Sequence, residues 1–241
     1  MVYFVGAGPG AKDLITIKGM KLLQSADIVI YAGSLVNAEL LDFCKPDCII
    51  YDSSKLTLDE VISIIKAGED KDSCVVRLHT GDPSLFGAVR EQMDELDKLN
   101  IAYESCPGVS SFCGAAASLN LEYTLPGVSQ KVIIARTPGR TPVPEGSTYI
   151  YFLSASHGGK IVDELYDEGL SPDTPAAIVY KATWPDEKVV YCRLGELEET
   201  LERYGITKTA LIIAGDIIGC ASYDRSKLYD QAFETGYRKA K

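Results

Sequence analysis

Runs of β-branched and other apolar residues alternate with amphipathic segments through the first half of the chain. The runs predict strands, and apolar spacings of three and four predict the helices between them. The predicted strands are 2–5, 27–31, 48–51, 73–78 and 101–104, and the predicted helices are 17–25, 35–43, 58–67 and 88–99. Thr57 and Glu60 have the spacing of a capping box at the helix 58–67. Strand–helix alternation of this kind predicts a mostly parallel sheet.

The pattern changes after residues 119–130, a polar stretch that contains Pro and Gly. The predicted strands are now 131–136, 148–153, 176–181, 188–193 and 210–214, with helices at 161–168 and 196–204. Consecutive strands without a helix between them predict a mixed sheet. We therefore expect an α/β protein of two domains, residues 1–118 with a mostly parallel sheet and residues 119–241 with a mixed sheet.

Composition narrows the function classes. The chain has 34 acidic residues against 24 Lys and Arg, a net charge of −10, which opposes a nucleic-acid partner that needs a dense basic surface. No apolar run reaches the ~18 residues of a membrane helix, and the N-terminus lacks the pattern of a signal peptide. The seven cysteines, an odd number, suit a cytoplasmic protein with reduced thiols. The lack of a long apolar run leads us to expect no membrane partner. No spacing of Cys and His suggests a metal site.

Three loops that contain glycine follow predicted strands of the first domain, at residues 6–11, 79–87 and 106–117. The carboxyl ends of parallel strands are where α/β sheets bind ligands, so these loops predict a binding site. The first loop also fits the G-x-G-x-x-[GA] pattern of dinucleotide binding. No helix follows it at once, and no acidic residue ends the second strand. A nicotinamide-dependent oxidoreductase remains an alternative of a different class.

Taken together, the loops resemble one family. VGAGPG at residues 5–10, GDPSLFG at 81–87 and PGVSS at 107–111, in this order, resemble the tetrapyrrole (corrin/porphyrin) methyltransferases. Residues 151–154, 182–187 and 209–215 extend the resemblance over most of the chain. Three positions depart from the family pattern: Ala11 stands where Asp is usual, Leu153 where Met is usual, and Ser154 where Gly is usual.

Two segments narrow the resemblance. SLVN at residues 34–37 and RTPGRTPVPE at 136–145 look most like the subfamily that methylates C11 of precorrin-4 or cobalt-precorrin-4. A methyltransferase for uroporphyrinogen-III or for another precorrin carbon is the nearest alternative within the family. A tetrapyrrole carrier without catalytic activity is a third possibility.

The family resemblance implies a class III methyltransferase fold with a ligand trough between the two domains. It implies S-adenosyl-L-methionine as methyl donor, S-adenosyl-L-homocysteine as product, a tetrapyrrole acceptor and a homodimer. The donor-binding residues that it implies are Pro9, Thr80, Gly81, Asp82, Leu85, Ser110, Ser111, Leu153, Ala182 and Ala210. Of these, Leu153, Ala182 and Ala210 are expected on the second domain, and Pro9 is expected to close on the reactive end of the donor.

The acceptor carries several carboxylates, which an acidic protein must bind through local cations. Arg136 and Arg140 are candidate clamps because arginine forms bidentate pairs with carboxylates. Gly8, Gly10 and Ser34 complete the candidate acceptor residues. We assign no catalytic residue, since a methyl group on sulfonium is already activated and positioning can provide most of the catalysis.

Overall fold

The computed structural model describes residues 1–137 and 146–240. The chain divides into two compact units. The first unit comprises Met1–Ala115 and Lys181–Glu187, and the second comprises Ala116–Tyr180 and Lys188–Lys241. The division after Ala115 lies three residues before the expected boundary. The separate grouping of the short segment Lys181–Glu187 has no counterpart in the expected domains.

The first unit is built on a five-stranded sheet. Its strands are β1 (Val2–Gly6), β2 (Ile28–Tyr31), β3 (Ile49–Asp52), β4 (Val75–His79) and β5 (Tyr103–Cys106), and its helices are α1 (Ile17–Ser25), α2 (Leu58–Glu69) and α3 (Arg90–Lys98). Helix α4 (Ser111–Leu119) begins in this unit. The strand order is β3-β2-β4-β1-β5, and every pair is parallel. The predicted parallel sheet is confirmed.

Helices cover both faces of this sheet. Leu23 of α1 packs on one face, against a cluster that includes Val29 and Val76. Ile65 of α2 and Leu96 of α3 belong to the cluster on the other face. The pairing register sets Gly6 beside His79 and Val5 beside Cys106, so β4, β1 and β5 end side by side. The three glycine-containing loops therefore leave the sheet at one edge.

The second unit has a mixed sheet, as the sequence predicts. Its elements are β6 (Lys131–Ala135), β7 (Ser147–Tyr151), α5 (Gly158–Asp167), β8 (Pro175–Tyr180), β9 (Lys188–Arg193), α6 (Leu197–Arg203) and β10 (Ala210–Ala214). The strand order is β6-β7-β10-β8-β9, in which only β6 and β7 are parallel neighbours. Leu165 of α5 and Leu201 of α6 pack against a cluster from the sheet that includes Ile178 and Ile212.

The short helix expected at residues 35–43 is confirmed only in part. The structure has a 3₁₀ helix at Ala38–Phe43 instead, and Asn37 caps it by accepting a hydrogen bond from the Glu39 N–H at 3.1 Å. Asn favours such a cap over a helix interior because its side chain competes for backbone groups. The helix therefore starts three residues later than the apolar pattern suggests and remains short.

Two further features bear on the expected function classes. Within residues 1–137 and 146–240, no helix combines the length and apolar character needed to cross a bilayer. The same residues contain no group of three or more His, Cys, Asp or Glu side chains placed to hold a metal ion. All seven cysteines have free thiols.

The capping box of α2 is confirmed and yields a stability prediction. Thr57 Oγ1 accepts a hydrogen bond from the Glu60 N–H at 3.3 Å, and Glu60 Oε2 accepts one from the Thr57 N–H at 2.7 Å. Thr57→Ala should lower the free energy of unfolding by about 1 kcal/mol, measured as a lower urea midpoint at unchanged m-value. Thr57→Ser keeps the oxygen and should stay near wild type. Equal losses in both variants would contradict a role for the hydroxyl.

Candidate active site

Three glycines bring the strand-end loops of the first unit into backbone contact. A Cβ on Gly108 would lie 2.2 Å from the Gly81 carbonyl oxygen, and one on Gly6 would lie 2.5 Å from the Gly108 Cα. Gly81 has φ +60°, a conformation that favours glycine, and it exchanges two hydrogen bonds with Gly8, at 2.9 and 3.2 Å. Glycine is therefore needed at residues 6 and 108 because the loops pack backbone against backbone, and it is favoured at residue 81 because of the positive φ.

Asp82 ties two of these loops together. Its Oδ2 accepts a hydrogen bond from the Gly108 N–H at 2.9 Å, and its Oδ1 accepts one from the Ser84 N–H at 2.8 Å. Burial raises the pKa of Asp82, but the hydrogen bonds from Ser84 and Gly108 outweigh it and hold the pKa below its ordinary value. Asp82 is a donor-binding residue in the sequence-based prediction. In the structure its carboxylate holds the shape of the loops.

The other candidate residues of this edge lie around Gly81. A Cβ on Gly81 would lie 3.3 Å from the Ser111 nitrogen and 3.5 Å from the Ser110 Cα. Ser110 is buried, whereas Thr80 and Leu85 are half-buried. The structure thus brings hydroxyl groups, backbone amides and an apolar side chain together at the carboxyl ends of β4 and β5.

His79 is a buried packing residue. Its side chain is 4% exposed, and burial together with the nearby Arg77 lowers its pKa to about 3. Within the described part of the chain, its Nε2 has no hydrogen-bond partner. The imidazole is therefore neutral at physiological pH, and it is too deeply buried to take a proton from a ligand.

The first loop lies against the segment Lys181–Glu187. Pro9 and Gly10 are buried, and a Cβ on Gly10 would lie 2.8 Å from the Ala182 carbonyl oxygen. Ala182, expected on the second domain, accordingly groups with the first unit. Ser34 is exposed in the loop after β2, a neighbour of β4 in the sheet.

Three candidate residues share one edge of the second unit's sheet. The register sets Ala135 and Ile212 on either side of Tyr151. Arg136 follows β6, Leu153 follows β7 and Ala210 begins β10, so all three lie at this edge. Arg136 is exposed, and Arg140 lies outside the described residues.

Leu153 has a strained backbone. Its φ is +53° and its side chain is 42% exposed, both unusual for a large apolar residue. The buried Ser154 hydroxyl holds this turn, since it donates to the Phe152 carbonyl at 2.7 Å and accepts from the Thr137 N–H at 2.8 Å. The serine that departs from the family pattern thus has a defined structural role.

Comparison with known proteins identifies the family. Residues 1–198 match the Tetrapyrrole (Corrin/Porphyrin) Methylases. The chain belongs to this tetrapyrrole methylase family. A relative from Methanocaldococcus jannaschii, named cobalt-precorrin-4 C(11)-methyltransferase, is 49% identical over 99% of this chain and 96% of its own length. One from Mycobacterium tuberculosis, named precorrin-4 C(11)-methyltransferase, is 40% identical over 96% of each chain.

Solved structures of tetrapyrrole methylases share the fold. A cobalt precorrin-4 methyltransferase matches with a TM-score of 0.84 and 42% identity, over 90% of this chain and 95% of its own. A uroporphyrin-III C-methyltransferase from Thermus thermophilus, in complex with S-adenosyl homocysteine, matches with a TM-score of 0.76 and 28% identity, over 90% of this chain and 98% of its own. The class III methyltransferase fold expected from the sequence is confirmed.

Sequence reasoning about this tetrapyrrole methylase missed three side chains that contact the first loop. Asn37, Thr183 and Trp184 each hydrogen-bond to the backbone of residues 9–11. The sequence could have indicated these residues, because all three lie in segments that carry the family resemblance. Their partners were not foreseeable, since the bonds span 27 to 175 residues of chain.

Asp82→Asn tests whether the charged carboxylate holds the loops. Hydrogen bonds to charged groups contribute about 1.5–3 kcal/mol, so the variant should be destabilised by roughly that amount at pH 7. Because the folded pKa is depressed, this contribution is fully present above the ordinary pKa of 3.8 and is lost as the pH falls below it.

Urea titrations from pH 7 to pH 3 should therefore show that the difference in free energy of unfolding between wild type and Asp82→Asn becomes smaller in acid. The Ser84 hydroxyl also donates to Asp82 Oδ1, at 2.5 Å. Ser84→Ala is the matched control, since it removes this donor and keeps the charge of the carboxylate. A difference that stays constant over this pH range would show that the charge of Asp82 does not contribute.

Proposed function

We propose that this chain transfers a methyl group from S-adenosyl-L-methionine to C11 of precorrin-4 or of its cobalt complex, giving precorrin-5 or cobalt-precorrin-5 in cobalamin biosynthesis. The observation that carries the proposal is the 49% identity, over nearly the full chain, to a relative with that name. Membership of the tetrapyrrole methylase family favours this reaction over a nicotinamide-dependent oxidation.

The residues at the two sheet edges suit the methyl donor. S-adenosyl-L-methionine presents hydroxyl, amino and carboxylate groups together with an apolar thioether. In the first unit, Thr80, Ser110 and Ser111 supply polar groups, and Leu85 supplies an apolar surface. In the second unit, the exposed Leu153 supplies apolar surface, and the buried Ala210 lies at the same edge of the sheet. We propose that these residues, with Pro9, Gly81, Asp82 and Ala182, bind the donor.

The donor, when bound, would supply a methyl group attached to a positively charged sulfur. Once the methyl group is transferred, the sulfur is left as a neutral thioether. An electron-rich acceptor carbon needs no strong base to attack the methyl group. This suits a site whose nearby imidazole, His79, is buried and neutral. The residues of the strand-end loops then act by holding donor and acceptor in line and by excluding water.

We propose that the acceptor lies along Gly8, Gly10 and Ser34, with its carboxylates bound by Arg136 and Arg140. Support for Arg136 comes from its exposure and from its place at the same sheet edge as Leu153. A homodimer and a cytoplasmic location belong to the same proposal. They rest on the family resemblance and on the sequence features given above.

The first test is transfer itself. We expect one labelled methyl group on the acceptor when the protein is incubated with methyl-labelled S-adenosyl-L-methionine and enzymatically made precorrin-4, with and without cobalt. Mass spectrometry counts the methyl groups, and NMR places the label at C11. The better acceptor of the two identifies the cobalt requirement.

Binding separates the alternatives if no transfer occurs. A ligand raises the melting temperature only if it binds the native state more tightly than the unfolded state. Stabilisation by S-adenosyl-L-homocysteine without transfer would keep the family and reject the acceptor, which directs the search to uroporphyrinogen-III or another precorrin carbon. Stabilisation by NADH alone would favour an oxidoreductase, and acceptor binding without donor binding would favour a carrier.

Arg136→Ala tests the acceptor clamp. Loss of a charge-assisted pair with a carboxylate should raise the acceptor KM about tenfold. The affinity for S-adenosyl-L-homocysteine, measured by calorimetry, should not change. Arg203→Ala is the control, because it removes the same charge from an exposed site on α6, where Arg203 pairs with Glu199. An equal rise of the acceptor KM in the two variants would show that Arg136 acts only through the net charge of the protein and not as a clamp.

A further inference from the structure

Side chains from elsewhere in the first unit hold three consecutive backbone groups of the first loop. Trp184 Nε1 donates to the Pro9 carbonyl at 3.2 Å, and Asn37 Nδ2 donates to the Gly10 carbonyl at 3.0 Å. Thr183 Oγ1 accepts a hydrogen bond from the Ala11 N–H at 2.9 Å. The segment is therefore tied at every residue from 9 to 11.

The side chains also leave no room for this loop to shift. A Cβ on Gly10 would lie 2.0 Å from Trp184 Cδ1, and one on Gly114 would lie 2.7 Å from Pro9 Cβ. The Cδ1–Nε1 edge of the indole therefore packs closely against the Gly10 backbone. On another side of the loop, the Pro9 ring packs against a glycine of α4.

The turn that carries two of these side chains is strained. Thr183 has φ +68° and Lys181 has φ +49°, and a β-branched residue at positive φ is a marked outlier. Charged side chains help to hold the turn. Glu187 Oε2 accepts a hydrogen bond from the Thr183 N–H at 2.5 Å, and Lys181 pairs with Asp186 at 2.5 Å. Strain of this kind persists where surrounding structure enforces it, and it concentrates at functional sites.

We propose that Asn37, Thr183 and Trp184 are positioning residues, which fix residues 9–11 so that the loop presents one rigid surface to the reactants. The effect on turnover rests on the proposed function, in which this loop borders the donor and the acceptor. Where catalysis depends on holding two reactants in line, a small displacement of such a surface slows the reaction. The rigidity itself is a property of the folded chain and can be measured without substrates.

Isosteric variants separate the hydrogen bonds from the packing. Thr183→Val keeps the shape and removes the acceptor for Ala11, whereas Thr183→Ser keeps the acceptor. Trp184→Phe keeps an aromatic ring and removes the indole donor. Asn37→Asp keeps the cap for Glu39 and replaces the amide donor to Gly10 with a carboxylate oxygen, which repels the Gly10 carbonyl. Far-UV circular dichroism and the urea midpoint of each full-length variant establish that it folds.

Amide hydrogen exchange of a peptide covering residues 5–14 is the direct measurement. Loss of one hydrogen bond should make this segment exchange about 3- to 10-fold faster in Thr183→Val, with smaller increases in Trp184→Phe and Asn37→Asp. Thr183→Ser should exchange like wild type. Unchanged exchange in all three bond-deleting variants would overturn the proposal.

Turnover supplies the second readout. In Thr183→Val we expect kcat to fall about 3- to 10-fold with little change in KM, and Thr183→Ser to restore it. Faster exchange with unchanged kcat would overturn the positioning role. If the wild-type protein transfers no methyl group, the proposed function fails, and the exchange comparison still decides whether these side chains fix the loop.

Discussion

The contact between three backbones at the carboxyl edge of the parallel sheet is the constraint on which the candidate site depends. Gly6 ends β1, and Gly81 and Gly108 follow β4 and β5. A Cβ on Gly6 or on Gly108 would collide with the backbone of a neighbouring loop. Because the loops touch through their backbones, a hydrogen bond to one loop also constrains the next. The hydrogen bond from Gly108 to Asp82 links the second and third loops, and the two hydrogen bonds between Gly8 and Gly81 link the first and second. The whole strand-end surface of the first unit therefore behaves as one assembly.

Local pattern was sufficient to predict most of the fold. Helix α1 (Ile17–Ser25), strand β9 (Lys188–Arg193) and strand β10 (Ala210–Ala214) have the predicted bounds. The capping box at Thr57 is also a local device, complete within four residues. The helix expected at residues 35–43 is a 3₁₀ helix that begins three residues later, because Asn37 binds the backbone itself and caps it.

The sequence was a better guide to which residues belong to the candidate site than to the contacts that they make. Sequence reasoning selected Asp82 for a ligand, and the structure shows its two oxygens bonded to Ser84 and to Gly108, which is 26 residues away. Trp184 reaches Pro9 across 175 residues. No period or spacing indicates such a partner, since the geometry arises only when the sheet has formed. Ala182 shows the same limit, because its place in the first unit depends on the contact of its turn with Gly10.

Several residues with a strained backbone lie in the segments that carry the family resemblance. Phe86, Leu153 and Thr183 all have positive φ, at a cost of about 1–3 kcal/mol each. A fold that keeps such conformations in its loops gives up stability for a particular loop shape. The nearby His79 is meanwhile held neutral by burial, so no strong base is added at this edge. Defined shape combined with little acid–base chemistry is what a transfer from an already activated methyl donor requires, since its rate depends on alignment and on the exclusion of water.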